Sequence, residues 1–285
     1  SYLIPGKDFY LGYSPERMNP GDKTHSIDKI IKVISGDCNK TKLTLKKIYG
    51  KINSGKIFIA KNIKTAEAAK VIENTQRDIN VAFINEITKL FKKINISIFD
   101  VLKTAETKWN FLNFQPGFVG GHCIGVDPYY LSYLAKKKKT ESNLILSGRK
   151  VNNNFPIFLA QYINQCITKK NKILVLGLTF KENVSDLRNT KVIDLIKSLK
   201  KKGHKVFVND ECAHKNDVKK MNLNLTPLFK KDKYDTIILA VAHDNYKKLN
   251  YSFFKKKLNK NGKIFDIKAI WKNKKFPKTI DYIIL

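Results

Sequence analysis

Lys172-Ile173-Leu174-Val175-Leu176-Gly177-Leu178 is the most telling apolar run of the chain. Its apolar run shows no polar alternation and reaches a glycine, which describes a strand buried on both faces, as in a parallel sheet. The residues downstream keep that rhythm. A loop over 179–189 leads into a helical pattern over 190–201, which Gly203 ends. Residues 205–210 read as the next strand, and 235–241 and 263–266 as two more. Strands alternating with helices predict a complete doubly wound α/β domain at this end of the chain. Ligands of such sheets bind beyond the carboxyl ends of the strands. Those ends carry Lys181, Arg188, Asp210, His243 and Lys268. Cations there suit a phosphate or diphosphate. No GxGxxG follows the first strand, so this domain lacks the usual dinucleotide fingerprint.

Upstream, residues 9–14, 30–36 and 56–60 read as strands and 39–52 as a helix. They predict the trailing edge of another parallel sheet, most of which lies outside this sequence. The loop Ser14-Pro15-Glu16-Arg17-Met18-Asn19-Pro20-Gly21 sets an acid beside a base. Residues 65–93 form the longest helical pattern, with Ala68, Val71, Ile72, Ile79, Ala82, Phe83, Ile87 and Leu90 at threes and fours. Thr65 and Glu67 read as its start. Lys70 and Asn74 are one turn apart on one face, although a lysine beside an apolar stripe also describes a snorkelling side chain. Further helices are expected at 98–107, from about Tyr129, at 141–152 and at 155–168.

Between these helices lies Pro116-Gly117-Phe118-Val119-Gly120-Gly121-His122-Cys123-Ile124-Gly125-Val126-Asp127-Pro128. Such glycine density predicts a shaped loop that can approach a ligand closely. Cys123 is a candidate nucleophile on that loop; the same features also describe a turn with a small buried thiol. Asp127 stands four residues on, where an N-cap ahead of Pro128 would also place an aspartate.

The 285 residues suffice for two domains, with a hydrophobic share of 42%. The formal charge of +31 raises the question of a polyanionic partner. The lysines are spread over the whole chain without an aromatic-interleaved basic motif, which favours a lysine-rich background over specific nucleic-acid binding. Cys38, Cys123, Cys166 and Cys212 form no CxxC pair, so neither a disulfide framework nor a metal site is expected. The longest apolar runs are strand-sized, and no membrane span is expected. The start lacks a signal-peptide pattern and an initiator Met, so a piece of something longer, in a reducing compartment, is expected.

Four groups of residues then resemble, in order and spacing, the UDP-glucose/GDP-mannose dehydrogenase family. They are Ser14-Pro15-Glu16-Arg17; Glu67-Ala68-Ala69-Lys70 with Asn74 and Asn85-Glu86; Gly120 through Leu131; and Leu176-Gly177-Leu178-Thr179-Phe180-Lys181 with Asp186 and Arg188. The His122 to Tyr130 form, Tyr13 to Gly21 and Lys108-Trp109-Asn110-Phe111-Leu112 look most like the branch acting on UDP-N-acetylhexosamines. The resemblance runs over essentially the whole chain. It implies the C-terminal part of an NAD-binding Rossmann domain at 1–61, a central long-helix dimerisation region with the cysteine loop at 62–160, and a doubly wound, Rossmann-like UDP-binding domain at 161–285. The family's NAD glycine fingerprint and a catalytic threonine would lie in the part not present, and this chain alone is expected to be inactive.

The resemblance further implies an NAD-dependent, cytoplasmic, homodimeric enzyme of polysaccharide biosynthesis that oxidises the C6 alcohol of a UDP-sugar to a carboxylate in two hydride transfers. Cys123 matches the thiolate that forms a thiohemiacetal and then a thioester. Lys70 and Asn74 match the pair that stabilises oxyanion character, and Asp127 a proton-handling carboxylate. Glu16 matches the acid of the Pro-Glu motif. Phe114, Gly117, Phe118 and Gly120 match the loop along the UDP-sugar, Lys181 and Lys268 match substrate contacts, and Arg188 matches an arginine that reaches NAD. Val126 replaces the lysine that the UDP-glucose branch has before the aspartate, and Pro20 replaces its second acid in the Pro-Glu motif. Both departures speak against UDP-glucose as substrate. A non-catalytic UDP-sugar-binding or oligomerisation remnant is the alternative.

Overall fold

The computed structural model describes residues 2–19, 21–22, 24–167 and 169–285. Pro20 and the helix end expected at 168 lie outside the described residues. The chain forms two compact units, one up to Gln76 and one from Arg77 onward.

The first unit contains β1 (Gly12–Tyr13), β2 (Lys32–Gly36), α1 (Asn39–Ile52) and β3 (Ile57–Ile59). β1 is antiparallel to β2, and β2 runs parallel to β3. Ile34 is fully buried at the centre of β2. The strand expected over 9–14 is reduced to two residues. Upstream of it, the Gly6 amide and the Asp8 carboxylate hydrogen-bond back within the loop, to the Phe9 carbonyl and the Ile4 amide. The long helix α2 (Ile63–Lys93) starts two residues ahead of the expected Thr65. The Asn62 side chain accepts from the Thr65 amide at 2.8 Å, so Asn62 is the cap.

The second unit holds the rest of α2, then α3 (Ile98–Ala105), α4 (Asp127–Lys137), α5 (Asn143–Cys166), β4 (Lys172–Leu176), α6 (Val192–Lys201), β5 (Lys205–Asn209), α7 (Lys215–Lys220), β6 (Tyr234–Leu239), α8 (Asp244–Lys247), α9 (Tyr251–Lys257), β7 (Leu258–Asp266) and β8 (Asp281–Ile284). α5 is one helix where two were expected, because Pro156 lies inside it without breaking it. A proline in a helix interior costs about 3 kcal/mol. Phe155, Pro156, Leu159, Ala160 and Ile163 are all buried along this stretch, and that burial outweighs the lost hydrogen bond.

The sheet of this unit has the order β5-β4-β6-β7-β8, and every neighbouring pair is parallel. Counted within the unit, that is the 2-1-3-4-5 doubly wound order, whose switch point lies between β4 and β6. Both faces are covered, as the unbroken apolar run of β4 requires. Ile173 and Val175 pack with Leu159, Leu195 and Leu199 on one face. Leu174 and Leu176 pack with Tyr246, Phe254 and Trp271 on the other. β8 pairs with β7 from Lys263↔Asp281 to Asp266↔Ile284 and completes the sheet.

Candidate active site

Residues 112–120 have no regular structure and 121–126 form turns, as the glycine density requires. The loop is held from two directions. From α2, Asn85 grips Gly117 by its backbone: Oδ1 accepts from the Gly117 amide at 2.9 Å, and Nδ2 donates to the Gly117 carbonyl at 3.0 Å. From the segment after β4, the Arg188 carbonyl accepts from the Gly121 amide at 3.0 Å, and the Asn189 side chain donates to the Gly121 carbonyl at 3.1 Å. The approach is close. A Cβ on Gly120 would lie 2.7 Å from the Asn189 carbonyl oxygen, and one on Gly121 (φ +80) would lie 3.0 Å from the Phe180 ring.

Cys123 is half-buried on this loop. Its carbonyl accepts from the amides of Val126 and Asp127 at 2.9 and 2.8 Å and so closes the turn that opens α4. Asp127 is the first residue inside α4, and Val126 holds the cap position. The carboxylate therefore sits in the first turn, where the helix dipole favours negative charge, rather than at the cap.

Beyond the switch point is a cavity of ≈ 220 Å³ lined by residues of three sources. The glycine loop gives Phe118, Val119, Gly120 and Ile124; the strand ends give Lys181, Glu182, Ala240, Val241 and Lys268; α2 gives Arg77. Three cations face one carboxylate, and Lys268 Nζ lies 3.9 Å from Glu182 Oε1 and 3.4 Å from the Pro116 carbonyl. A Cβ on Gly117 would come within 2.9 Å of Lys268 Nζ, so the glycine leaves room for that lysine. Phe114 packs half-buried against the core.

Arg188 is oriented by Asp186. Nε and Nη2 reach the carboxylate at 2.9 and 2.6 Å, and the side chain stays 61% exposed. These hydrogen bonds hold the Asp186 carboxyl below the usual carboxylate range. His122, next to Cys123, has Nδ1 3.9 Å from the same carboxylate.

In the first unit, Glu16 Oε1 accepts from the Met18 amide at 2.7 Å, and Arg17 pairs with Glu73 at 2.8 Å. Lys70 and Asn74 stand one turn apart on α2 in that unit. The second unit carries Cys123, Asp127, Gly117, Phe118, Gly120, Lys181, Lys268 and Arg188; of these, Phe118, Gly120, Lys181 and Lys268 line the one cavity.

Sequence reading assigned no role to the polar network beneath the loop. Asp78 pairs with Arg149 at 2.6 Å, and both side chains are buried. Asn152 Nδ2 donates to the Asp78 carboxylate at 2.7 Å and to its carbonyl at 2.9 Å. Asn85 Nδ2 donates to Asn152 Oδ1 at 2.9 Å and, as above, to Gly117. The available signal was four polar residues on otherwise apolar helix faces.

Asp210, Cys212 and His243 bring their ligand-type atoms within 4.8 Å of one another. Asp210 is already saturated. Oδ2 accepts from the Leu178 and Thr179 amides and lies 3.0 Å from His243 Nε2, while Oδ1 accepts from the Cys212 and Ala213 amides. Burial pushes this carboxyl up, but His243 and the backbone donors outweigh it and hold it below its ordinary value. The group is a hydrogen-bond knot.

Residues 64–154 match the central domain of the UDP-glucose/GDP-mannose dehydrogenase family, and residues 174–273 match its UDP binding domain. Protein CapL of Staphylococcus aureus is 46% identical over 277 residues, covering 95% of this chain and 65% of that protein. This chain belongs to the UDP-glucose/GDP-mannose dehydrogenase family. A UDP-N-acetyl-D-glucosamine 6-dehydrogenase of Salmonella typhi is 43% identical, over 85% of this chain and 59% of that enzyme. The crystal structure of the UDP-N-acetyl-mannosamine dehydrogenase Cap5O from Staphylococcus aureus superposes with a TM-score of 0.80 at 28% identity, over 99% of this chain and 64% of that one. The chain thus spans 59 to 65% of the length of these family members. Its central-domain span contains Asn85, Cys123 and Asp127. Its UDP-binding span contains Lys181, Arg188, Asp210, His243 and Lys268.

Proposed function

We propose that a protein carrying this chain is an NAD-dependent 6-dehydrogenase of a UDP-N-acetylhexosamine, acting in polysaccharide biosynthesis. The observation that carries this reading is the cavity at the switch point, where Arg77, Lys181 and Lys268 converge against the loop that bears Cys123. A net positive, half-apolar hollow suits a nucleoside diphosphate. The Salmonella typhi enzyme supports an N-acetylglucosamine substrate by its similarity.

In this reading Lys181 and Lys268 hold the diphosphate, while Phe118, Gly117 and Gly120 follow the nucleotide sugar. The Cys123 thiolate adds to the C6 aldehyde to form a thiohemiacetal, and oxidation leaves a thioester. Lys70 and Asn74 donate hydrogen bonds to the oxygen on C6 as it gains charge. Asp127 takes a proton from the water that releases the uronate, and Glu16 positions the sugar. NAD, when bound, accepts the hydride in both oxidations. Arg188 fits a place at its edge, since Asp186 orients the guanidinium and leaves it exposed. The domain division at 61 and 160 belongs to the same proposal, as do a cytoplasmic location and a homodimer through α2, where Phe83 and Leu90 are exposed seven residues apart. Among the described residues, no helix is long and apolar enough to cross a membrane.

The test is NADH formation by the intact protein with UDP-N-acetylglucosamine. Two NADH per uronate are expected from the wild type, and Cys123→Ser is expected to form no uronate. Unchanged uronate formation by the variant would remove the nucleophile role. The 285-residue chain by itself contains no GxGxxG dinucleotide fingerprint and is expected to bind UDP but not to reduce NAD.

A further inference from the structure

Lys181 lies in the middle of a segment that is pinned on both sides. Before it, the amides of Leu178 and Thr179 donate to Asp210 Oδ2 at 2.6 and 2.9 Å. After it, the Asn183 amide donates to His243 Nδ1 at 2.9 Å, and Asn183 Oδ1 accepts from the Asp244 amide at 3.0 Å. Between the two, the Thr179 hydroxyl donates to the carbonyl of Lys181 itself at 2.9 Å. A backbone amide can only donate, so Nδ1 of His243 must accept and the ring proton belongs on Nε2. Nε2 faces Asp210 Oδ2 at 3.0 Å and Thr179 Oγ1 at 3.2 Å. One imidazole therefore ties the two ends of the segment together. The His243 and Asp210 side chains are 1% and 0% exposed, so water does not compete for these bonds.

The segment needs such a tie. Asn183 (φ 58) is left-handed, a conformation that costs a non-glycine residue energy unless its surroundings hold it. Its conformation also matters outside itself. Phe180 packs against Gly120 and Gly121, two residues from Cys123, and Lys181 lines the cavity assigned to the UDP-sugar.

From this we infer that His243 is a positioning residue for the substrate site: by accepting the Asn183 amide on Nδ1 it holds the 177–183 segment so that Lys181 meets the diphosphate and Phe180 supports the cysteine loop. The inference rests on the UDP-sugar reading of the cavity.

Two conservative variants separate this from a merely structural role. His243→Asn keeps an acceptor near the position of Nδ1. His243→Gln keeps an amide donor near the position of Nε2, for Asp210, but loses the acceptor. Calorimetric titration of the 285-residue chain with UDP is the first measurement, and hydrogen exchange of the 180–184 amides without ligand is the second. A lost hydrogen bond of this kind is worth about 10-fold in affinity. The Gln variant is expected to bind UDP about 10-fold more weakly, with faster exchange confined to the segment. The Asn variant is expected to stay within about threefold of wild type, with exchange preserved. Wild-type affinity in the Gln variant would overturn the inference. So would equal losses in both variants that follow their loss of thermal stability. If the wild-type chain fails to bind UDP, the UDP-sugar reading falls and the substrate role of His243 falls with it. If wild type binds and only the Gln variant behaves normally, the reading stands and the inference alone is lost.

Discussion

The glycine loop is braced by two buried polar clusters that handle charge in opposite ways. On the helix side, Asp78 and Arg149 meet side chain to side chain, and Asn152 and Asn85 relay the network to the Gly117 backbone. Among the described residues, Asp78 Oδ2 and Arg149 Nε find no hydrogen-bond partner. On the sheet side, Asp210 is saturated by four backbone amides and His243, and it reaches the loop through the 177–189 segment. A buried ion pair with unused polar atoms is poised to lose much when either member goes. A carboxylate wrapped by amides shapes the backbone that wraps it. The helix-side cluster is therefore chiefly a matter of stability, and the sheet-side cluster chiefly a matter of the shape of the binding segment.

The sharpest way to break that contrast is Asp78→Ala. It leaves the Arg149 guanidinium buried and unpaired, at a cost of about 3–5 kcal/mol. Denaturant unfolding of the chain measures this, and a loss under about 1 kcal/mol would place the pair among weak surface-like bridges.

Asp210→Asn comes next, because an amide NH₂ replaces one oxygen that accepts backbone protons. A loss on the order of 2 kcal/mol is expected at neutral pH. The folded carboxyl lies below its ordinary value, so its stabilisation is present above the unfolded carboxylate pKa of about 3.9 and disappears as pH falls through the depressed folded value. The gap between wild type and variant should therefore start to narrow below about pH 4 and close only below the depressed folded value. A constant gap down to strongly acid pH would mean that this carboxylate contributes nothing through its charge.

The smallest effect is expected away from both clusters. Ser97 caps α3 by accepting the Asp100 amide at 3.3 Å. Ser97→Ala should cost about 1 kcal/mol and leave UDP affinity unchanged. If it altered UDP binding as much as His243→Gln, the special status of the sheet-side cluster would disappear.

Local pattern carried much of this architecture. The apolar run ending at Gly177, the glycine after α6 and the periodicity of α2 each announce an element from residues within a few positions of one another. The loop over 116–126 was legible for the same reason, since glycine density forbids regular structure wherever it occurs. Pro156 misled because its breaking tendency is local and the burial that overrides it is not. β7 begins at Leu258 rather than Lys263 because Asn259-Lys260-Asn261 hides a strand behind polar residues, and β8, only four residues long, exists by pairing with it.

The succession of elements, the cysteine loop and the set of charged residues at the strand ends can all be read from the order of residues. Which polar groups meet is settled by packing. Asn85 meets Gly117 across 32 residues, His243 meets Asn183 across 60, and Arg149 meets Asp78 across 71. Those separations are set by how α2, α5 and the sheet pack. No periodicity records them, because the entropy of closing such loops is offset by burial elsewhere in the core rather than by the pairs themselves.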